Sequence, residues 1–257
     1  MSSRNFSRRF FVQPEESGKI EKESVIIDGP SAHHMINVIR VSVGDEVMLF
    51  DGSGHEYSAV VIEVKKSKLT ASITGCEAVD RELPFELRVA VELPKGDRQK
   101  VLVEKLVELG VTRLIPLNAK RSVVKSEPKS AGKLMRRVIE ASKQCGRNTL
   151  MQIESPLTTG KLFETTDGQL GQPGKRIIAH PYEAADGKTK TAIQVASQMQ
   201  PTDPVTIAIG PEGGFDLAEV EQAISQDWQP VRIGPTILRV ETAAVALATM
   251  FGVARTQ

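Results

Sequence analysis

The sequence has little cysteine, few aromatic residues and no long hydrophobic run. Its two cysteines, Cys76 and Cys145, are too few for a disulfide framework, and neither has metal-ligand spacing around it. The longest apolar stretch, 242–254, is too short to span a bilayer, and residues 1–12 lack the apolar core of a signal peptide. We therefore expect a cytoplasmic protein with no metal and no membrane contact.

Basic residues are concentrated in one part of the chain. The net charge is only +1, yet residues 95–147 contain 14 Lys and Arg against 5 Asp and Glu, whereas 151–257 contain 8 against 12. Such segregation indicates a surface that faces a polyanion such as nucleic acid. A solvated helix face would have the same composition, so charge alone leaves both readings open.

Residues 6–80 are rich in short segments of β-branched residues separated by turn signals. One helix is predicted at 31–40, with Ser31 as its N-cap. We predict a small β-barrel in residues 1–80, a fold that often binds RNA. The adjacent His33 and His34 point in different directions on that helix, so no metal site is expected there.

After Leu83-Pro84 the pattern changes to alternating strands and helices, which predicts an α/β domain over residues 84–257. Asp97 and Asp216 are predicted helix N-caps, and Glu219 completes a capping box with Asp216. The predicted strands include 85–93, 113–117, 176–179, 204–209 and 230–233. The predicted helices include 98–109, 130–145, 189–198, 216–224 and 241–253.

Two glycine-bearing stretches near the end, IGPEGGF (209–215) and GPTILRVETAA (234–244), each follow an apolar run. Each should be a loop at the carboxyl end of a strand, where ligands bind in open α/β sheets. Pro211, Gly213 and Gly214 allow a sharp turn and a close approach of the backbone to a ligand. Neither stretch matches a P-loop or a G-x-G-x-x-G fingerprint, so a different kind of ligand pocket is predicted.

Six motifs in this order resemble the RsmE-like family, RNA methyltransferases of the SPOUT class. The motifs are RRFF (8–11), the run from His33 through IRV (39–41) to Gly44-Asp45, KLVELG (105–110), EASKQCGR (140–147), IGPEGGF (209–215) and G-x-x-ILR-x-ETAA (234–244). The resemblance implies methylation of N3 of a uridine in small-subunit (16S) ribosomal RNA. It also implies an N-terminal PUA-like β-barrel (1–80) and a C-terminal SPOUT α/β domain with a trefoil knot (84–257).

The family's methyl donor is S-adenosyl-L-methionine, held by backbone in three knot loops. The residues that this resemblance implies for the donor are Ala179, His180, Glu183, Gly210, Pro211, Glu212, Gly213, Gly214, Ile233, Gly234, Ile237, Leu238, Thr242 and Ala243. The sequence departs from the family at Val240, where threonine is common, and at His180-Pro181-Tyr182.

Methylation at N3 requires loss of an imide proton and stabilisation of the charge that spreads to O2 and O4. We expect Arg239 to stabilise this anion, and Glu241 to accept the proton or to position the donor. Alternatively, Arg239 and Glu241 pair with each other, or Glu241 supports a helix start.

The partners expected are small-subunit ribosomal RNA or the 30S subunit, with the uridine flipped into the pocket. Small residues in the last helix also favour packing against a second copy, giving a homodimer. Lys105 lies on an apolar helix stripe, from which it either reaches a site or extends to the surface. The residues expected to hold RNA are Arg8, Arg9, Arg40, Lys95, Arg98, Lys105, Lys120, Arg121, Lys125, Gln144 and Arg147.

Two other functions stay open at this point. The chain could be a non-catalytic RNA-binding or ribosome-assembly factor that does not use the donor. It could also be a SPOUT methyltransferase that acts on another RNA. Binding of S-adenosylmethionine distinguishes the first alternative, and mapping of the modified nucleotide distinguishes the second.

Overall fold

The computed structural model describes residues 8–13, 20, 23–122, 125–127, 131–165, 171–180 and 189–255. Contacts divide the chain into two compact units. The first combines residues 1–82 with 139–150, and the second combines 83–138 with 151–257.

The first unit contains, within its described residues, a five-stranded sheet. Its strands are β1 (Arg9–Phe11), β2 (Ser24–Ile27), β3 (Glu46–Phe50), β4 (His55–Val64) and β5 (Leu69–Ala78). The strand order is β1-β3-β4-β5-β2, with β1 parallel to β3 and the other pairs antiparallel. Alternation along β4 buries Tyr57, Ala59 and Val61 in the core of the unit, as expected for strands with one buried face. The prediction that residues 6–80 are rich in β-strands is confirmed.

A helix lies between β2 and β3. It begins as α1 (Gly29–His33), continues as a π-helical segment (His34–Ile39) and ends at Arg40, whose φ of 58° is left-handed. The predicted N-cap at Ser31 is wrong, because Asp28 occupies the cap position and a proline follows in the first turn. The Ser31 hydroxyl instead donates to the Phe11 carbonyl at 3.0 Å.

The second unit is built on a parallel sheet, seven-stranded over the described ranges. Its strands are β6 (Leu87–Val91), β7 (Arg113–Asn118), β8 (Gln152–Ile153), β9 (Leu157–Thr158), β10 (Lys175–Ala179), β11 (Val205–Ile209) and β12 (Gln229–Val231). The order is β12-β10-β11-β6-β7-β8, and β9 pairs with β7. Central β6 and β11 are buried along their whole length, as is typical of parallel strands covered on both faces. The predicted α/β fold is confirmed.

Helices follow most of these strands. They are α2 (Asp97–Glu108), α3 (Ala131–Cys145), α4 (Thr159–Glu164), α5 (Ala192–Ala196), α6 (Leu217–Ser225) and α7 (Val240–Phe251). The predicted cap at Asp97 is wrong, because Gly96, with a φ of 64°, is the cap and Asp97 is the first helical residue. No described helix is long and apolar enough to span a bilayer.

The cap of α6 is confirmed with both hydrogen bonds of a capping box. The Asp216 carboxylate accepts from the Glu219 amide, and the Glu219 carboxylate accepts from the Asp216 amide, each at 2.8 Å. The capping box fixes the chain where it leaves the loop after β11. Since β10 lies between β11 and β12 and all three are parallel, their carboxyl ends lie at one edge of the sheet.

Candidate active site

A cavity lies at this edge of the second unit. All the predicted donor-binding residues line it except Thr242 and Glu183; Glu183 lies outside the described residues. The cavity is also lined by residues not predicted for the donor, namely Arg121, Ile209, Phe215, Val231, Thr236 and Val240. Both glycine stretches therefore line one cavity, and apolar residues at the ends of the preceding strands, Ile209 and Val231, form part of its wall.

The backbone of the glycine loops forms part of the cavity wall. The Gly214 amide donates to the Pro211 carbonyl at 2.8 Å, which closes the turn, and the φ of Gly214 is +68°. A Cβ built at Gly214 or at Gly234 would meet no other atom within 4 Å. The wall is therefore open at both glycines, and a ligand can approach the peptide groups closely.

The segment 120–122, which contains Lys120 and Arg121 and is called the basic connector below, is hydrogen-bonded to this wall. Arg121 Nη1 donates to the Gly213 carbonyl at 2.9 Å. Lys120 donates through its amide to Glu219 at 3.0 Å and through Nζ to Asp216 at 2.9 Å. The Asp216 contact raises the pKa of Lys120, and Lys120 lowers the pKa of Asp216. Lys120 and Arg121 were predicted to hold RNA, but both have partners within the protein.

His180 contributes a half-buried imidazole to the cavity, and its amide donates to the Val231 carbonyl at 2.9 Å. Burial lowers the pKa of His180 below its ordinary value of 6.5. The imidazole is therefore neutral at neutral pH. A neutral side chain here spares a cationic ligand from electrostatic repulsion.

A second, open cleft adjoins the cavity. Its lining residues are Arg98, Glu212, Ile237, Leu238 and Arg239. Arg98 Nη1 forms an ion pair with Glu212, and the same nitrogen lies 3.8 Å from Glu241 Oε2. The hydrogen bond and charge of Arg98 lower the pKa of Glu212, and the charge of Arg239 lowers it further.

Glu241 differs from the expectation. It lines neither cavity nor cleft, and its side chain is 14% exposed. Its Oε2 is buried without a hydrogen-bond donor among the described residues. In the part of the chain that the structure describes, its ion-pair partner is Arg98 rather than Arg239, so the expected alternative pairing of residues 239 and 241 is not what forms.

In the first unit, Arg9 is buried rather than available to RNA. Its guanidinium donates to the carbonyls of Ser142 at 2.8 Å and Arg147 at 2.9 Å, and to Asn148 Oδ1. It also lies 3.6 Å from Glu56. Burial lowers the pKa of Arg9 to about 10, against the favourable charge of Glu56. The predicted RNA contact of Arg9 is corrected to a structural role.

Arg147 is likewise 4% exposed, and its Nε donates to Glu82 at 3.0 Å. Its burial argues against direct contact with RNA and corrects that prediction too. The remaining predicted RNA residues of this unit are on its surface: Arg8, Arg40 and Gln144. Arg8 pairs with Asp45 at 3.3 Å.

In the second unit, Lys95, Lys105 and Lys125 are exposed. Lys105 Nζ reaches Glu108 at 2.7 Å, and this contact raises the pKa of Lys105. Lys105 therefore extends to the surface from its apolar stripe. Among the described residues, no group of three or more His, Cys, Asp or Glu side chains could hold a metal ion.

Comparison with known proteins gives matches over both halves of the chain. An RNA methyltransferase domain matches residues 81–252, and an RNA methyltransferase PUA domain matches residues 27–74. Ribosomal RNA small subunit methyltransferase E of Bacillus subtilis is 30% identical over 92% of each chain. The protein of the same name from Synechocystis is 30% identical over 93% of this chain and 76% of its own.

A solved structure is similar as well. Ribosomal RNA small subunit methyltransferase E from Neisseria gonorrhoeae, bound to S-adenosyl methionine, superposes with a TM-score of 0.78 at 26% identity. The superposition covers 94% of this chain and 95% of the other.

Proposed function

Because this chain belongs to the RNA methyltransferase family that includes ribosomal RNA small subunit methyltransferase E, we propose that it methylates N3 of a uridine in small-subunit (16S) ribosomal RNA, with S-adenosylmethionine as donor. One observation of the site carries the proposal: the ends of three neighbouring parallel strands and the two glycine stretches line a cavity that adjoins a cleft lined by two arginines.

The cavity suits the donor. Open backbone at Gly214 and Gly234 would offer peptide groups to hydrogen-bond the donor's polar atoms, and Ile233 and Leu238 would offer it apolar contact. A neutral His180 does not oppose the positive sulfonium. When bound, S-adenosylmethionine supplies an electrophilic methyl group, which passes to N3 as its C–S bond breaks and S-adenosylhomocysteine is left.

The chain supplies position and charge for this transfer. Arg239 lines the cleft beside the cavity, where its guanidinium can stabilise the negative charge on O2 and O4 as the N3 proton leaves. Glu241 lines neither space, and its contact with Arg98 supports a role in holding that arginine in place. Thr242 and Glu183 remain predicted donor contacts.

The RNA itself is held by exposed basic residues in both units. Arg8 and Arg40 belong to the unit that contains the PUA match, and Lys95, Lys105 and Lys125 belong to the methyltransferase unit. Contacts of this kind hold phosphate and depend on salt. We further propose a cytoplasmic protein that acts on ribosomal RNA or the 30S subunit, and a homodimer that packs through small residues on the outer face of α7, such as Ala246.

The test is a map of modified nucleotides in ribosomal RNA from a strain that lacks the gene. Loss of one N3-methyluridine from small-subunit RNA is expected, with restoration by the wild-type gene and not by Arg239→Gln. Calorimetry should show that the wild-type protein and Arg239→Gln bind S-adenosylmethionine with affinities within about threefold of each other, because Arg239 lies outside the donor cavity.

Other results would select the alternatives. A protein that does not bind the donor, with an unchanged modification map, would be a non-catalytic RNA-binding or assembly factor. A protein that binds the donor, with the missing mark in another RNA, would be a methyltransferase of different specificity.

A further inference from the structure

The Watson–Crick edge of uracil has a distinctive pattern of hydrogen-bonding groups. It presents a carbonyl oxygen, the N3–H group and a second carbonyl oxygen, which read acceptor, donor, acceptor. Cytosine presents an amino donor and then two acceptors. A guanidinium can only donate, and an ionised carboxylate can only accept. Two arginines on either side of a carboxylate therefore complement uracil and oppose cytosine.

The cleft beside the donor cavity contains these three groups. Arg98 is in direct contact with Glu212, and the charge of Arg239 acts on the same carboxylate. The side chains of Arg98 and Glu212 are 41% and 61% exposed, so an incoming base can reach both. Ion pairs this exposed contribute little stability, and hydrogen bonds to a base can replace this one readily.

The cleft is placed for transfer from the donor cavity. Glu212, Ile237 and Leu238 line both spaces, so a base in the cleft lies next to a donor in the cavity. Ile237 is 73% exposed and offers an apolar surface to the face of a base. An exposed large apolar side chain at this boundary is explained by such a contact.

Glu241 is a second acidic neighbour of Arg98. Its buried carboxylate lies 3.8 Å from Arg98 Nη1, the nitrogen that also contacts Glu212. Arg98 therefore keeps a negative partner when Glu212 turns to a ligand. The charge of Arg98 then remains neutralised by Glu241, and the orientation of the Arg98 side chain remains constrained.

We propose that Arg98, Glu212 and Arg239 form the subsite that recognises the imide edge of the acceptor uridine, with Glu212 accepting from N3–H and the two arginines donating to O2 and O4. This inference rests on the proposed function and names the base-recognition part of that site. The N3 proton first passes to Glu212 and on to water, which frees the in-plane electron pair of N3, and the N3–C bond then forms as the donor's C–S bond breaks. Arg98 and Arg239 stabilise the negative charge on O2 and O4 from the loss of the proton until the methyl group is attached. The lowered pKa of Glu212 keeps it ionised, so it is an acceptor before transfer begins.

The first experiment compares Arg98→Gln and Arg239→Gln with the wild type and with Lys100→Gln. Lys100 is on the same helix as Arg98 and is 54% exposed. We expect kcat on small-subunit RNA to fall about 100-fold or more in the two arginine variants, as when one transition-state donor is removed. KM for RNA and Kd for the donor should stay within about threefold of wild type, because phosphate contacts supply most of the RNA affinity.

The second experiment measures base recognition without catalysis. RNA fragments that contain the target uridine, or cytidine in its place, compete for the protein in the presence of S-adenosylhomocysteine. The wild type and Lys100→Gln should prefer uridine by roughly 10-fold, as expected for matched hydrogen bonds to a base edge. Arg98→Gln, Arg239→Gln and Glu212→Gln should lose most of this preference. Thermal unfolding checks that each variant is folded, and Glu212→Asp provides a second acidic variant.

The outcomes separate this inference from the function on which it rests. If the wild type does not methylate ribosomal RNA, the proposed function is wrong. If the wild type methylates while the arginine variants keep both their kcat and their uridine preference, the subsite is wrong and the function stands. A uniform loss of RNA affinity without a change in preference would make Arg98 a phosphate contact and would also overturn the subsite.

Discussion

Arg121 Nη1 donates a 2.9 Å hydrogen bond to the carbonyl oxygen of Gly213, so a residue of the basic connector holds a loop of the donor cavity. Arg121 also lines the same cavity. The position of this arginine therefore affects how donor and loop fit together, in addition to any effect on RNA.

Replacement of Arg121 by glutamine should weaken donor binding. Loss of one exposed hydrogen bond corresponds to about 0.5–1.5 kcal/mol, so Kd for S-adenosylmethionine should rise roughly three- to tenfold. Calorimetry measures this directly. Arg113→Gln, which removes an ion pair with Glu154 elsewhere in the unit, is the control and should leave Kd unchanged. Equal donor affinities in Arg121→Gln and wild type would contradict the role of this contact.

A second prediction concerns the left-handed backbone of Gly214. Gly214→Ala should destabilise the protein by about 1–2 kcal/mol, because an L-residue is strained at its φ of +68°. Donor affinity should fall with it. Gly132→Ala is the matched control: Gly132 is in helix α3, and a Cβ added there would meet no neighbouring side chain within 4 Å. It should stabilise the protein by about 0.5–1 kcal/mol. Denaturant midpoints of the two variants should therefore move in opposite directions.

The dependence of stability on pH should reflect His180. Its pKa in the folded protein is below the 6.5 of the free side chain. As the pH falls below about 6.5, the unfolded chain takes up a proton that the folded site does not, and the free energy of unfolding decreases. The decrease stops once the folded pKa is passed, and stability is constant above about 6.5.

Donor binding should follow the same group. At a pH below the lowered pKa, protonated His180 repels the sulfonium and affinity falls, whereas affinity stays constant at higher pH. Calorimetric titrations between about pH 5 and pH 8 test this. His180→Asn should flatten the profile, and His55→Asn, in the first unit, should not. An unaltered profile in His180→Asn would show that another group titrates.

Arg9 should matter for stability rather than for RNA contact. Arg9→Leu leaves two backbone carbonyls and Asn148 Oδ1 without this donor, while Arg81 still pairs with Glu56 at 2.8 Å. At about 1–3 kcal/mol for each buried group that loses its hydrogen bond, the protein should be destabilised by about 2–5 kcal/mol. Arg8→Gln, next in sequence but 43% exposed, should change stability by less than about 1 kcal/mol. Chemical denaturation compares the two. A midpoint for Arg9→Leu close to that of Arg8→Gln would refute the assignment.

The exposed lysines of the second unit should give the salt-dependent part of RNA affinity. The double change Lys95→Gln with Lys125→Gln should lower the slope of log K against log salt by about 2, roughly one for each phosphate contact. Fluorescence anisotropy at several salt concentrations measures the slope. Lys175→Gln, exposed at the start of β10, should leave it unchanged. Loss of donor affinity in the double variant would point to a different role.

Much of the second unit could be predicted from its sequence. The apolar runs of β6 and β11 and the cap of α6 are local signals, and local physics decides them. The glycine stretches predicted the position of a ligand pocket, because glycine allows a sharp turn and leaves the peptide groups accessible to a ligand. The trefoil knot implied by family resemblance stays a prediction, because threading depends on the path of the whole chain.

The charged residues were harder to assign from sequence. An arginine is usually exposed, and nothing local shows that Arg9 meets partners more than 130 residues away. Likewise, the spacing of Arg239 and Glu241 suggested a pair, whereas the tertiary partner of Glu241 comes from α2, at Arg98. The true N-caps, Asp28 and Gly96, were missed because Ser31 and Asp97, close by in sequence, are also residue types that favour the N-cap position.

The buried contacts of Arg9 also affect the order in which the protein assembles during synthesis. Its carbonyl and amide partners lie within residues 142–148, which belong to the same unit as β1. During synthesis, β1 is therefore made more than 130 residues before the segment that satisfies its guanidinium. A fragment ending at residue 82 should stay incompletely folded until a peptide covering residues 139–150 is added, so this unit is completed only after that later segment has been made.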